Sequence, residues 1–181
     1  MKFHSPQILA AALVAAPFLG AVALADELPT PQNIVMSLQS DPLKDQEPAC
    51  VVLQLGTALL NSEQEPKPNV TIFATLDGVG IANSEVMESP ELLKARSKYC
   101  TRVNREGKFV DPLPLPNILY SYLEAGGEIL ACPLCWVDRF GELPDSAADL
   151  FVYYVDGAPT QQVYIDSPVG LFLAADKVID Y

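Results

Sequence analysis

Histidine is nearly absent from this 181-residue chain: its one example is His4. Tryptophan is equally scarce, with Trp136 alone, and there are only four cysteines. Basic residues are few as well, 11 against 23 acidic ones, giving a net charge of −12. Each shortage excludes something. A chain this acidic repels phosphate, so nucleic acid is not an expected partner. Four cysteines are too few for a disulfide-dense scaffold, so a hydrophobic core must hold the fold. Half of the residues are hydrophobic, far above the range of disordered chains. The length favours one domain.

Long apolar runs are also lacking, with one exception at the N-terminus. Ile8 to Ala25 carries no charge, follows Met1-Lys2-Phe3-His4, and ends in Ala23-Leu24-Ala25 ahead of Asp26-Glu27. This is the pattern of a secretory signal peptide cleaved after Ala25, not of a spanning helix, since the run contains Pro17 and small residues at the cleavage site. The expected layout is a signal peptide over 1–25 and one domain over 26–181, periplasmic or secreted, with no stable membrane anchor after cleavage. Cleavage would remove Lys2 and no acidic residue, changing the net charge from −12 to −13. It would also remove His4, which excludes histidine metal sites and Ser-His-Asp or Cys-His catalysis from the mature domain.

Hydrophobic periodicity then sets out the domain. Asn33–Leu38 reads as a buried strand, and residues 48–63 as an amphipathic helix with Val51, Val52, Leu55, Leu59 and Leu60 on its apolar stripe. Val70–Leu76 is the clearest strand, rich in β-branched residues, and Asp77-Gly78-Val79-Gly80 turns at its end. Ser89 caps a short helix with Pro90 in its first turn. Residues 94–114 form an excursion, polar from Val103 to Pro112. Residues 116–125 form a helix stopped by Gly126-Gly127. Glu128–Ala131 is a strand, residues 144–162 are ambiguous, and Val163–Ile165, 168–175 and 177–181 read as strand, helix and strand. Such alternation predicts an α/β fold: a three-layer α/β/α sandwich with a mainly parallel sheet of about five strands. Function in such sheets sits at the carboxyl ends of the strands.

Cys132-Pro133-Leu134-Cys135 stands at such an end. Four chemistries fit the spacing. A thiolate in the field of helix amides can take up sulfane sulfur as a persulfide. Cys132 can attack and Cys135 resolve in dithiol–disulfide exchange. Two thiolates make half a tetrahedral metal site. A structural disulfide or plain packing is the fourth. Arg139 is a candidate partner for a thiolate or persulfide anion. Asp77-Gly78-Val79-Gly80 lacks the glycine spacing of a phosphate loop, and no cofactor is expected. Cys50 and Cys100 are compatible with a disulfide in an oxidising compartment, although connectivity does not follow from sequence. Lys94, Arg96, Lys98, Arg102, Arg105 and Lys108 form the one basic cluster, read as a solvated face.

Four segments together resemble the DsrE/DsrF-like family, which includes sulfur-relay subunits of the TusD type. They are Ala49–Ala58, the strand ending in Asp77-Gly78-Val79, Glu124-Ala125-Gly126-Gly127-Glu128-Ile129-Leu130-Ala131-Cys132, and Ala174–Tyr181. The third is similar to the family's "G-V-E-I-x-x-C" strand and cysteine. The resemblance implies a flavodoxin-like DsrE fold, a persulfide carried on Cys132, a resolving or co-ligand role for Cys135, and assembly as a trimer, a hexamer or a hetero-oligomer. The implied partner is a sulfur donor or acceptor protein or a small sulfane-sulfur compound, in a sulfurtransferase-like carrier. Export and the excursions at 94–114 and 144–162 depart from the cytoplasmic relay pattern and speak against a transfer-RNA role.

Overall fold

The computed structural model describes residues 30–101, 110–144, 149–155, 158–160 and 162–181. The signal-peptide expectation and most of the 103–112 stretch lie outside these residues. Among the described residues, seven strands and six α-helices follow in order: β1 (Asn33–Leu38), α1 (Glu47–Leu60), β2 (Asn69–Ala74), α2 (Ser84–Met87), α3 (Pro90–Lys94), α4 (Leu115–Glu124), β3 (Glu128–Ala131), α5 (Pro133–Phe140), β4 (Tyr153–Val155), β5 (Ala158–Thr160), β6 (Val163–Ile165), α6 (Val169–Ala174) and β7 (Lys177–Asp180). A 3₁₀ helix, Leu76–Ala82, follows β2. The main sheet has five strands in the order β6-β3-β2-β1-β7, every pairing parallel. β4 and β5 form a separate antiparallel ribbon in the ambiguous 144–162 region. The fold is therefore α/β, as the alternation of elements predicts. No helix among the described residues is long and apolar enough to cross a membrane.

Side chains alternate across a strand, so Ile72 and Phe73 face opposite layers. Ile34, Met36, Leu38, Val70, Ile72 and Ala74 join the core with the buried residues of α1 and α4. On the other face, Phe73 meets Phe172 of α6 edge-on at 5.3 Å. Helices thus cover both faces. The chirality of parallel connections explains the division: β1, β2, β3 and β6 step one way across the sheet, and only the return to β7 reverses direction.

The stripe of α1 differs from the periodicity reading. Ala49, Cys50, Val52, Leu53, Gly56 and Leu60 are buried, whereas Leu55 is exposed and Val51 lines an outer groove. Gly56 selects this face, because its missing side chain leaves room for Tyr122 of α4: a Cβ there would stand 2.6 Å from the ring. Gly127 clears the same ring from the other side, with a Cβ position 2.3 Å from Tyr122 Cζ. In that slot the Tyr122 hydroxyl lies 2.8 Å from the Val70 carbonyl and 2.9 Å from the Glu128 carbonyl, and accepts the Glu128 N–H at 3.2 Å. It ties β2 to β3 at their amino ends. Burial pushes its phenol far above the usual tyrosine range.

Cys50 and Cys100 form a disulfide with Cα atoms 5.0 Å apart, and both are fully buried. The excursion is thereby anchored to α1 instead of standing clear of the core. Closing a loop of this length (sequence separation 50) constrains the unfolded chain by about 4 kcal/mol in the chain-entropy view. Gln54 adds a hydrogen bond to the Tyr99 carbonyl.

Candidate functional site

The carboxyl ends of β1, β2 and β3 converge on one edge of the molecule. β2 ends at Ala74, two residues earlier than the apolar run predicts, because Leu76 enters the 3₁₀ helix with φ +49°. A non-glycine residue in this left-handed region costs of order 1 kcal/mol. Such strain concentrates at functional sites. The turn is pinned to the end of β1: Thr75 N–H donates to the Leu38 carbonyl and Gly78 N–H to the Gln39 carbonyl, both at 2.9 Å.

β3 leads directly into the cysteine pair. Cys132 caps α5, with backbone φ −66° and ψ 120°, and Pro133 occupies the first turn, where a missing N–H costs nothing. Cys132 N–H is itself held by the Ala74 carbonyl at 2.9 Å. The Cys135 N–H donates to Cys132 Sγ at 3.4 Å. The two sulfurs lie 2.7 Å apart, inside van der Waals contact, and both cysteines are half-buried free thiols. Cys135 Sγ also meets the Thr75 hydroxyl at 3.3 Å. Leu76, 60% exposed, and Leu134, 81% exposed, flank the pair. Trp136 is buried beneath it and packs on Phe140 with ring centroids 4.7 Å apart.

The two thiols differ in acidity. Burial and a hydrogen bond with Cys135 push Cys132 above the ordinary thiol value. For Cys135, burial raises the value, but hydrogen bonds from the Cys132 thiol, the Thr75 hydroxyl and the backbone N–H of Leu76 outweigh it, and the net direction is down. The two shifts run in opposite directions, so Cys135 is the more acidic thiol of the pair. Proximity to a helix start does not by itself settle which thiol ionises.

Arg139 is not turned toward the sulfurs as its candidate role requires. Its guanidinium binds Asp41 at 2.8 Å, Asp77 at 3.2 Å and the Asp77 carbonyl at 2.9 Å. Lys44 closes the ring, 3.4 Å from Asp41 and 3.3 Å from Asp77. Burial would raise the Asp41 carboxyl, but hydrogen bonds from Arg139 and the Leu43 N–H, with Lys44 close by, hold it below the usual value. This ring clamps the loop after β1, the turn after β2 and the end of α5 together. Asp41, Lys44 and Thr75 did not stand out in the sequence. The signal available was position: each follows closely on a parallel strand that ends beside the cysteines.

Other candidates lie elsewhere. Lys94, Arg96 and Lys98 are exposed, with Lys98 over the Tyr99 ring at 4.7 Å, and the remaining basic residues of that cluster fall outside the described residues. An outer groove of about 810 Å³ runs between α1 and α4, lined by Val51, Leu55, Ala58 and Ile118, and includes neither cysteine. Among the described residues, no third His, Cys, Asp or Glu joins the pair in a metal-binding group.

No protein-family model matches the chain, and no curated protein matches it. Among solved structures it is similar to the crystal structure of the ychN protein from E. coli, at 22% identity over 83% of this chain and 99% of that one, with a TM-score of 0.49. The fold class rests on this chain's own sheet: five parallel strands with helices on both faces.

Proposed function

We propose that this protein is an exported, DsrE-like carrier of sulfane sulfur that works through the Cys132–Cys135 pair. The observation that carries the reading is the pair itself: two half-buried free thiols, 2.7 Å apart, at the end of a parallel strand and the start of a helix. The sequence motifs that resemble the DsrE/DsrF-like family surround it. In the proposed chemistry a thiolate attacks the outer sulfur of a donor persulfide. A new S–S bond forms on the protein, the donor's S–S bond breaks, and its electron pair leaves with the donor thiolate. Transfer to an acceptor thiolate repeats the exchange in the other direction. Leu76 and Leu134 give the donor or acceptor an apolar rim beside the thiols, which suits a protein partner as well as a small sulfane compound.

The setting of the reaction is proposed with it: cleavage after Ala25, a periplasmic or secreted domain over 26–181, and assembly into a homo-oligomer, a trimer or hexamer. The exposed Val169, Leu173 and Val178 near the C-terminus are the surface available for such contacts.

Treating the reduced protein with polysulfide, trapping with an alkylating agent and mapping peptides by mass spectrometry tests the reading. The expected result is one added sulfur on the 132–135 peptide of a single cysteine→alanine variant, where no second thiol can displace it, and none in the Cys132→Ala/Cys135→Ala double variant. Equal labelling in the double variant, or none in either single variant, overturns it.

Dithiol–disulfide exchange is the second reading. It is favoured by the same 2.7 Å separation, which lets a disulfide close with little backbone movement. Rapid disulfide turnover with a dithiol reductant, without persulfide formation, would select it.

A further inference from the structure

We propose that Cys135, not Cys132, is the nucleophile of the pair, and that Thr75 is its positioning residue. The inference deepens the reading above, and rests on it for the identity of the electrophile, but the assignment of the thiolate stands on geometry.

Cys132 Sγ caps α5 and accepts the Cys135 N–H at 3.4 Å, a contact that favours a thiolate there, but its burial and the neighbouring Cys135 sulfur outweigh it. Cys135 is approached from outside its helix. The Thr75 hydroxyl, on the strand next to β3, is 3.3 Å from its sulfur. The Leu76 backbone N–H also acts on the Cys135 sulfur and favours its thiolate. A thiolate only accepts hydrogen bonds, so a charged Cys135 makes Thr75 the donor and gives the proton between the sulfurs to Cys132. A charged Cys132 would leave the hydroxyl facing a protonated sulfur, a weak partner in either direction. The acidity difference between the thiols runs the same way.

The chemistry balances on this assignment. Cys135 thiolate attacks the outer sulfur of a donor persulfide. The new Cys135 S–S bond replaces the donor's, and the donor leaves as a thiolate. Where no acceptor intervenes, Cys132 loses its proton to solvent and attacks Cys135 Sγ. The Cys132–Cys135 disulfide forms, and hydrosulfide leaves with the electron pair of the broken bond.

The test uses the reduced full-length protein and a limiting pulse of iodoacetamide across pH, with peptides mapped by mass spectrometry. Below the thiol midpoint the first label is expected on Cys135, ahead of Cys132. Thr75→Val is expected to move the Cys135 midpoint up by about one pH unit, and so to slow its labelling about tenfold at pH below that midpoint. Thr75→Ser, which keeps the hydroxyl, is expected to restore both. A purely structural Thr75 would change the rate at all pH values without moving the midpoint. First labelling on Cys132, or a midpoint indifferent to Thr75→Val, overturns the inference whatever polysulfide does. Labelling as expected with no persulfide on either cysteine upholds Cys135 as the nucleophile and overturns only the sulfur-carrier reading.

Discussion

Gly78→Ala should damage the molecule far more than Gly80→Ala, two residues away. A Cβ at Gly78 would stand 2.2 Å from the Leu38 carbonyl oxygen and 2.8 Å from its carbon. Both are backbone atoms of β1, so no side chain can swing aside. The turn after β2 must lift away from β1 by about 1 Å, and a close-packed interior does not absorb that. Overpacking strain of this kind costs about 1–3 kcal/mol. Lifting the turn also stretches the bond from Gly78 N–H to the Gln39 carbonyl, 2.9 Å, a loss of about 1 kcal/mol. The sum is a destabilisation of about 2–4 kcal/mol. At Gly80 a Cβ meets only Pro42 Cδ and Cγ at 3.3 Å and Val86 Cγ1 at 3.4 Å. Small side-chain movements relieve that, and the reduced freedom of the unfolded chain returns about 0.4–1 kcal/mol, so Gly80→Ala should lie within about 1 kcal/mol of the native protein. Urea unfolding of the three proteins gives the comparison. The same displacement carries Thr75 and Leu76 away from Cys135, so Gly78→Ala should also slow alkylation of that thiol below its midpoint. Equal stability of the two variants would refute the packing argument.

Two further perturbations follow from buried polar groups. Tyr122→Phe keeps the ring between Gly56 and Gly127 but leaves the Glu128 N–H without its acceptor and the Val70 and Glu128 carbonyls without their donor. A loss of about 1–3 kcal/mol in urea unfolding is expected, with the cysteine chemistry unchanged. Arg139→Gln removes the main partner of the buried Asp41 carboxylate, and a loss of about 1–3 kcal/mol at neutral pH is expected. The Asp41 carboxyl lies below its ordinary value of 3.8 in the folded protein. Its contribution is therefore present above that value and disappears as pH falls through the lower folded one. The gap between native and Arg139→Gln stability should narrow below about pH 4. A gap that stays constant into acid would assign the loss to packing instead of charge.

Much of the fold was legible because its strands are short apolar runs between clear stops. Asn33–Leu38, Glu128–Ala131 and Val163–Ile165 each occupy the residues their patterns indicate. The α1 stripe was not, because two apolar columns run along that helix and glycine carries no hydrophobic signal. Only the Tyr122 ring, supplied from α4, decides that the column through Gly56 faces inward. Cys100 was misleading for a similar reason. Its neighbours in sequence are polar and basic, yet its partner Cys50 is 50 residues away and draws it into the core. The place of the cysteine pair at a strand end was readable, since β3 runs directly into it.

The roles within that pair were not readable, and the reason is general to parallel sheets. A strand end meets its neighbours only after crossovers of dozens of residues, so the groups that set a thiol's charge are distant in sequence. Thr75 is 60 positions from Cys135, and Asp41 is 98 from Arg139. A motif around Cys132 conveys where a sulfur stands, because the strand and helix that hold it are local. It does not convey which of two adjacent sulfurs keeps the proton. That depends on whether the neighbouring strand ends in a hydroxyl and a backbone N–H that reach one of them. Here both reach Cys135, so the chemistry follows Thr75 and Leu76 rather than the order of the two cysteines in the chain.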